Sequence, residues 1–254
     1  MINRKLVLMV LSVFAVLILL AGCTTTAPIK EKQTVQTVII SGHTDWGKLM
    51  GANGNQSSGT SVEMCKDILI SMGYKVETPN LGSWEAVQQA ARIGKVDVIP
   101  AIYKTKEREE YLVYSIAYTT DPVVPFSKKG KGFVYNKKED LLGKKIVATT
   151  GDSYGQEIDD YMVQANLNVV RVSSSKEAFD LVKNDQADCF LYSVWAGEKV
   201  LKDSGSSNDF EWSGVVSEQP FYVAFSKKSP VALRIDEFNA HLREKIAKNQ
   251  TPST

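Results

Sequence analysis

Two histidines and three cysteines are all that this 254-residue chain contains. His43 and His241 lie far apart and no Cys-x-x-Cys or His-Glu-x-x-His spacing occurs, so the residues give no basis for a metal centre. Excess charge is also missing, since 30 Lys and Arg stand against 29 Asp and Glu for a net charge of +1. Nothing in that balance attracts a polyanion, and a nucleic-acid partner is not expected. Long apolar runs are absent after the first, Leu6 to Leu20, which only Ser12 interrupts. What remains is 43% hydrophobic and 23% charged, enough to bury one sizeable core or two modest ones, and this excludes a disordered chain.

The first apolar run follows Arg4-Lys5 and spans about 15 residues, short of the roughly 20 needed to cross a bilayer, so residues 1–22 read as an export signal. Its ending, Leu20-Ala21-Gly22-Cys23, resembles the bacterial lipoprotein cleavage box. That resemblance implies cleavage before Cys23 and lipidation of its thiol, with an uncleaved anchor helix as the alternative. Either way the folded body is extracytoplasmic and held at the cell membrane. Residues 23–34 are polar and lack an apolar period, as expected of a tether. Cys65 and Cys189 are expected as buried free thiols in separate lobes.

From residue 35 onward, strand and helix patterns alternate. VQTVIIS (35–41) reads as a strand, TSVEMCKDILISMG (60–73) as a helix with Val62, Cys65, Ile68, Leu69 and Met72 on one face, and YKVETP as a second strand. SWEAVQQAARIG (83–94) has Ser83 as N-cap and Gly94 as stop, and VDVIPAI (96–102) follows as a strand. The cycle repeats with KKIVATT (144–150), a helix from about Ser153 to Ala165, NVVRV (168–172), the helix KEAFDLVKN (176–184) and ADCFLYS (187–193). Two β-α-β-α-β units predict an α/β fold of two lobes, each a mostly parallel sheet flanked by helices. If the chain leaves the first lobe, builds the second and returns, lobe 1 comprises residues 35–119 and 221–254, lobe 2 comprises 120–220, and two crossovers form the hinge.

The order of these segments resembles the extracytoplasmic solute-binding proteins of family 3, the amino-acid-type receptors of ABC importers with the type II periplasmic-binding-protein fold. The resemblance rests chiefly on GSWEAVQQAARIGKVDVIPAIYKTKEREEYLVYSIAY (82–118), with its Gly-Lys-x-Asp, Thr-x-Glu-Arg and Tyr-Ser-x-x-Tyr elements. GTSVEMCKDIL (59–69) and DLLGKKIVATTGDSYGQEI (140–158) add to it. It implies a small-molecule solute gripped between the lobes, a permease or other membrane partner, a monomer, and neither cofactor nor bond chemistry. Arg108 is then the fork for a ligand carboxylate, which suits a planar guanidinium; within its charge run it reads equally as part of a solvated helix start. Trp84 stands where the family packs an aromatic along the ligand, against a plain core role. Trp46, with His43 and Asp45, falls in a long polar loop at the cleft mouth. Gly151, Asp152 and Ser153 form a turn leading to a helix N-terminus suited to an anionic group, with helix capping as the alternative role for Asp152.

Three positions depart from the family pattern. Ser193 occupies the place of the carboxylate that receives a ligand ammonium, and Ala101 and Tyr103 replace small hydroxyl residues before the Thr-x-Glu-Arg element. A standard amino acid is therefore one candidate beside a carboxylate, an aromatic-compatible solute, or an amine held by aromatic faces. Two other functions fit the same scaffold. One is a dehydratase-like enzyme drawing on Glu63, Glu107 or Asp152; the other is a ligand-sensing domain for a signalling protein.

Overall fold

The computed structural model describes residues 35–131 and 133–250. The export signal, Cys23 and the tether lie outside the described residues.

The first half begins with β1 (Thr37–Ile39), which pairs in parallel with β5 (Lys75–Glu77). Helix α1 (Thr60–Ser71) connects them and buries Val62, Cys65, Ile68 and Leu69, the face set by its apolar spacing. Helix α2 (Trp84–Ile93) starts where the Ser83 hydroxyl accepts the Ala86 N–H, and it stops at Gly94, whose φ of 81° is left-handed. Strand β6 (Val98–Ile102) follows and is buried along its whole length.

The segment expected as a long polar loop is instead an antiparallel meander of β2 (Asp45–Trp46), β3 (Met50–Asn53) and β4 (Gln56–Ser58). Strands this short carry no readable alternation. Gly59 closes the meander at φ 118°, with a Cβ there lying 2.4 Å from the Leu49 carbonyl oxygen.

A short helix, α3 (Lys106–Glu109), leads into β7 (Leu112–Lys128). The second half contains β8 (Lys145–Thr149), α4 (Gln156–Gln164), β9 (Asn168–Val172), α5 (Ser175–Lys183), β10 (Cys189–Ser193), α6 (Val194–Asp203) and β11 (Phe210–Glu211). Helix α4 starts at Gln156, three residues later than expected from Ser153. Gly155 turns the chain at φ 92°, and the Asp159 carboxylate reaches back to the Tyr154 N–H at 2.9 Å and to the Ser153 hydroxyl.

Strand β12 (Ser217–Ser226) then returns, and a 3-10 turn (Pro230–Arg234) leads to α7 (Ile235–Gln250), which packs on β7 and α1. The seven-stranded sheet runs β6-β12-β7-β10-β8-β9 with β11 beside β7. It is mixed: β8 is parallel to both β9 and β10, whereas β12 pairs antiparallel with β6 and β7. The antiparallel part comes from β7 and β12, the two strands that run from one half to the other. Strand β12 pairs with β6 from Tyr222 to Phe225 and β7 pairs with β10 from Val123 to Phe126. Between these registers, Thr119–Asp121 and Gln219–Phe221 pair only with each other, a two-stranded neck.

Candidate functional site between the two halves

The neck brings the end of β6, the β2 turn and α2 against the turn after β8 and the end of β10. Arg108 is buried on that boundary, 5% exposed. Its Nε donates to Gln88 Oε1 at 3.1 Å, Nη1 to the Tyr103 carbonyl at 3.0 Å and Nη2 to the Gly151 carbonyl at 3.0 Å. The same Gly151 oxygen accepts from Trp84 Nε1 and from Gln88 Nε2, each at 3.1 Å. Three donors from one half thus converge on one oxygen of the other, one of them cationic. Such a cradle suits a carboxylate oxygen. Gly151 is at φ 81°, and a Cβ there would stand 2.9 Å from Gln88 Nε2, so both backbone angle and space require glycine.

Beneath the cradle is an aromatic cluster. Trp46 packs edge-on to Tyr103, Tyr192 and Phe221 at centroid distances of 5.8, 5.4 and 6.1 Å. Its indole N–H donates to Asp121 Oδ2 at 3.1 Å; the Tyr103 hydroxyl donates to the same oxygen at 2.7 Å, and the Ser193 hydroxyl to Oδ1 at 2.9 Å. Burial pushes the Asp121 carboxyl up from its ordinary range, and the hydrogen bonds from Tyr103, Ser193 and Trp46 oppose that shift. Trp46 is therefore a buried tie between the halves and does not present its ring to solvent.

Beside Trp46 and Trp84 lies His43, with ring centroids 5.0 and 5.4 Å away. Its Nδ1 accepts the Asp45 N–H at 3.0 Å, which places the proton of the neutral ring on Nε2. That Nε2 faces Asp152 Oδ1 at 3.6 Å. The other Asp152 oxygen accepts from the Thr149 hydroxyl. Asp152 caps no helix, since α4 begins four residues beyond it with Gly155 as its N-cap.

Ala101, Tyr103, Arg108, Trp46, Trp84 and Asp152 line a chamber of about 20 Å³, together with His43 and Phe221. Arg108 and Asp152 also line an adjoining cleft of about 580 Å³ whose other walls include Glu85, Gln88, Glu107, Gly151, Ser153 and Gln156. Of the sequence-derived candidates, Ser193 lies behind the chamber, committed to Asp121 and to the Ala196 N–H. The Ser153 hydroxyl is turned to Asp159. Glu63 is exposed on α1 beside Lys66, away from this site. Gln88 and Asp121 were not anticipated as site residues. Gln88 lies four residues after Trp84 on one helix face, a spacing that could have found it; nothing local marks Asp121.

Comparison with protein families matches residues 48–244 to the bacterial extracellular solute-binding proteins, family 3. The chain belongs to that family. Comparison with curated proteins finds no sequence match. Among solved structures, arginine-bound ArgBP from T. maritima (Gly52Ala mutant) is 21% identical with a TM-score of 0.69, covering 82% of this chain and 95% of that one. The amino-acid ABC transporter substrate-binding protein AbpA from Streptococcus pneumoniae, bound to L-arginine, is 19% identical with a TM-score of 0.69, covering 84% and 90%. A histidine kinase sensor domain similar to periplasmic binding proteins is 18% identical with a TM-score of 0.73, covering 85% and 92%. These likenesses show the two-lobed periplasmic-binding-protein fold for this family 3 chain. Family and neighbours are binding proteins, and the family is extracellular. Among the described residues no helix is long and apolar enough to cross a membrane, and no group of His, Cys, Asp and Glu could hold a metal ion.

Proposed function

We propose that this family 3 protein captures a small polar solute, an amino acid or related carboxylate or amine, between its two lobes and delivers it to an ABC importer. In this reading the lobes are residues 35–119 with 221–254, and 120–220. They hinge at the neck where Thr119–Asp121 pairs with Gln219–Phe221. The N-terminal signal and a lipid on Cys23 hold the protein, as a monomer, to the outer face of the cell membrane.

The observation that supports the reading most is the convergence of Arg108, Gln88 and Trp84 on a single point at the lobe boundary. A solute that bonds donors and acceptors of both lobes favours the closed form by the difference in its contacts between open and closed states. The solute contacts expected from the sequence are those of Trp46, Trp84, Ala101, Tyr103, Arg108, Gly151, Asp152, Ser153 and Ser193. Of these, Arg108, Trp84 and Asp152 stand in the best geometry for direct contact, and Ser193 acts through Asp121.

A thermal-shift panel of amino acids, organic acids and amines on the purified full chain, followed by calorimetry, tests the proposal. Arg108→Ala should weaken a carboxylate solute by about 2–4 kcal/mol, because a charge-assisted fork is lost. Unchanged affinity would remove Arg108 from the site.

The likeness to a histidine kinase sensor domain favours a second reading, a solute sensor that reports to a signalling partner. Stimulation of a permease's ATP hydrolysis in vesicles by the loaded protein supports delivery; stimulation of a kinase alone supports sensing.

A further inference from the structure

Two buried charges face the chamber between the lobes, and they do not pair with each other. Arg108 bonds the Gln88 amide oxygen and the carbonyls of Tyr103 and Gly151, all neutral acceptors. Among the described residues no carboxylate lies within 4.0 Å of its guanidinium nitrogens, and two of its five N–H groups remain beyond the three used. On the other side, the Asp152 side chain is 1% exposed, and its Oδ1 receives no hydrogen bond among the described residues. The nearest donor is the neutral His43 ring at 3.6 Å, beyond hydrogen-bond length. Both charged side chains line the small chamber and the wall that it shares with the cleft of about 580 Å³.

We infer that Asp152 is the receptor for a solute ammonium and that the solute is a small zwitterion, its carboxylate on Arg108 and its ammonium on Asp152 Oδ1. The inference rests on the proposed solute-binding role and narrows its ligand class. A buried charge without a counter-charge is expensive, so a solute bearing only a carboxylate leaves Asp152 unpaired, and one bearing only an amine leaves Arg108 unpaired. A zwitterion pairs both. Ser193 cannot take the ammonium as an anion would, because its hydroxyl is neutral and already committed to Asp121 and to the Ala196 N–H. The chamber of about 20 Å³ has room for little more than one water, so the remainder of the solute extends into the larger cleft. That cleft is walled by Glu85, Gln89, Glu107 and Gln156, which calls for a polar side chain on the solute.

The test uses the purified full-length protein and the twenty L-amino acids as first probes. The best binder is then compared with its desamino carboxylic acid and with its decarboxylated amine. The wild type should bind the amino acid at least tenfold more tightly than either analogue. Asp152→Asn should weaken the amino acid at least tenfold while leaving the desamino acid unchanged or tighter, with an unfolding midpoint showing that the variant is folded. Equal wild-type affinity for the amino acid and its desamino form overturns the inference whatever the variant does. So does an Asp152→Asn protein that binds the amino acid with unchanged affinity; in both cases the solute-binding proposal itself stands. If no amino acid, desamino acid or amine binds the wild type, this inference fails together with the proposal beneath it.

Discussion

Removing the Asp121 carboxylate tests whether the aromatic floor of the cleft is an electrostatic tie or only a packed core. Asp121→Ala leaves three buried donors, the Trp46 indole N–H and the hydroxyls of Tyr103 and Ser193, without their acceptor. An orphaned buried donor costs about 1–3 kcal/mol. Ser193 can rotate its hydroxyl and the buried charge disappears with its desolvation penalty, so the net loss should be about 3–5 kcal/mol. Asp121→Asn keeps the shape. Its carbonyl can receive Trp46 and Tyr103, and its amide can donate to the second lone pair of Ser193 Oγ, so this variant should fall within about 1 kcal/mol of wild type. Urea unfolding measured across pH separates the two variants further. Because burial raises the folded-state pKa of Asp121 above its ordinary 3.8, the folded protein holds that proton more tightly than the unfolded chain does. The contribution is then fully favourable below 3.8 and is lost as pH rises through the raised value. Asp121→Asn should therefore flatten the fall in stability over that window, while Asp159, also raised chiefly by burial, still titrates in both proteins and cancels from the comparison. A loss under about 1 kcal/mol for Asp121→Ala, or an unaltered pH slope in Asp121→Asn, would refute the reasoning.

Gly151→Ala should destabilise the protein by about 2 kcal/mol through its left-handed backbone and its crowding of Gln88, and adding Gln88→Ala should recover the steric part; urea unfolding of the single and double variants checks this. Arg108→Lys should bind the solute in calorimetry nearly as poorly as Arg108→Ala, since one ammonium cannot reach Gln88, Tyr103 and Gly151 together; near-native affinity would show that charge alone suffices. Cys65 and Cys189 are buried and free, and burial raises both thiols, Cys189 to about 12. Neither should react with an aromatic disulfide reagent at neutral pH until urea unfolds the chain, and rapid labelling of the native protein would contradict their burial.

The helices and long strands were legible because their signals are local. Ser83 and Gly94 bracket α2 as their side-chain chemistry dictates, and the apolar face of α1 is the face that is buried. The β2–β4 meander was not legible, since strands of two to four residues alternate too briefly to differ from a polar loop. The start of α4 was placed three residues early for a related reason. Asp152 and Ser153 are good capping residues by type, but Gly155 at positive φ and the back-reaching Asp159 set the boundary instead.

At the site, the motif carrying Arg108 and the aromatic at Trp84 pointed to the right place, whereas the partners that give each residue its role came from far along the chain. Trp46 is held by Asp121, 75 residues away, and the Arg108 fork ends on Gly151, 43 residues away. No window of sequence contains both members of such a pair. The Gly151–Ser153 turn shows the consequence most plainly. Its residue types suggested backbone N–H groups offered to an anion, yet it brings the Gly151 carbonyl and the Asp152 carboxylate to the boundary, both acceptors. The donors stand on the opposite lobe, in Arg108, Gln88 and Trp84. Charge is thus divided across the cleft by lobe, positive on one side and negative on the other, so either lobe alone meets only half of a dipolar solute. A solute with both charges gains its second partner only as the lobes come together, and that difference between open and closed contacts is what couples occupancy to closure.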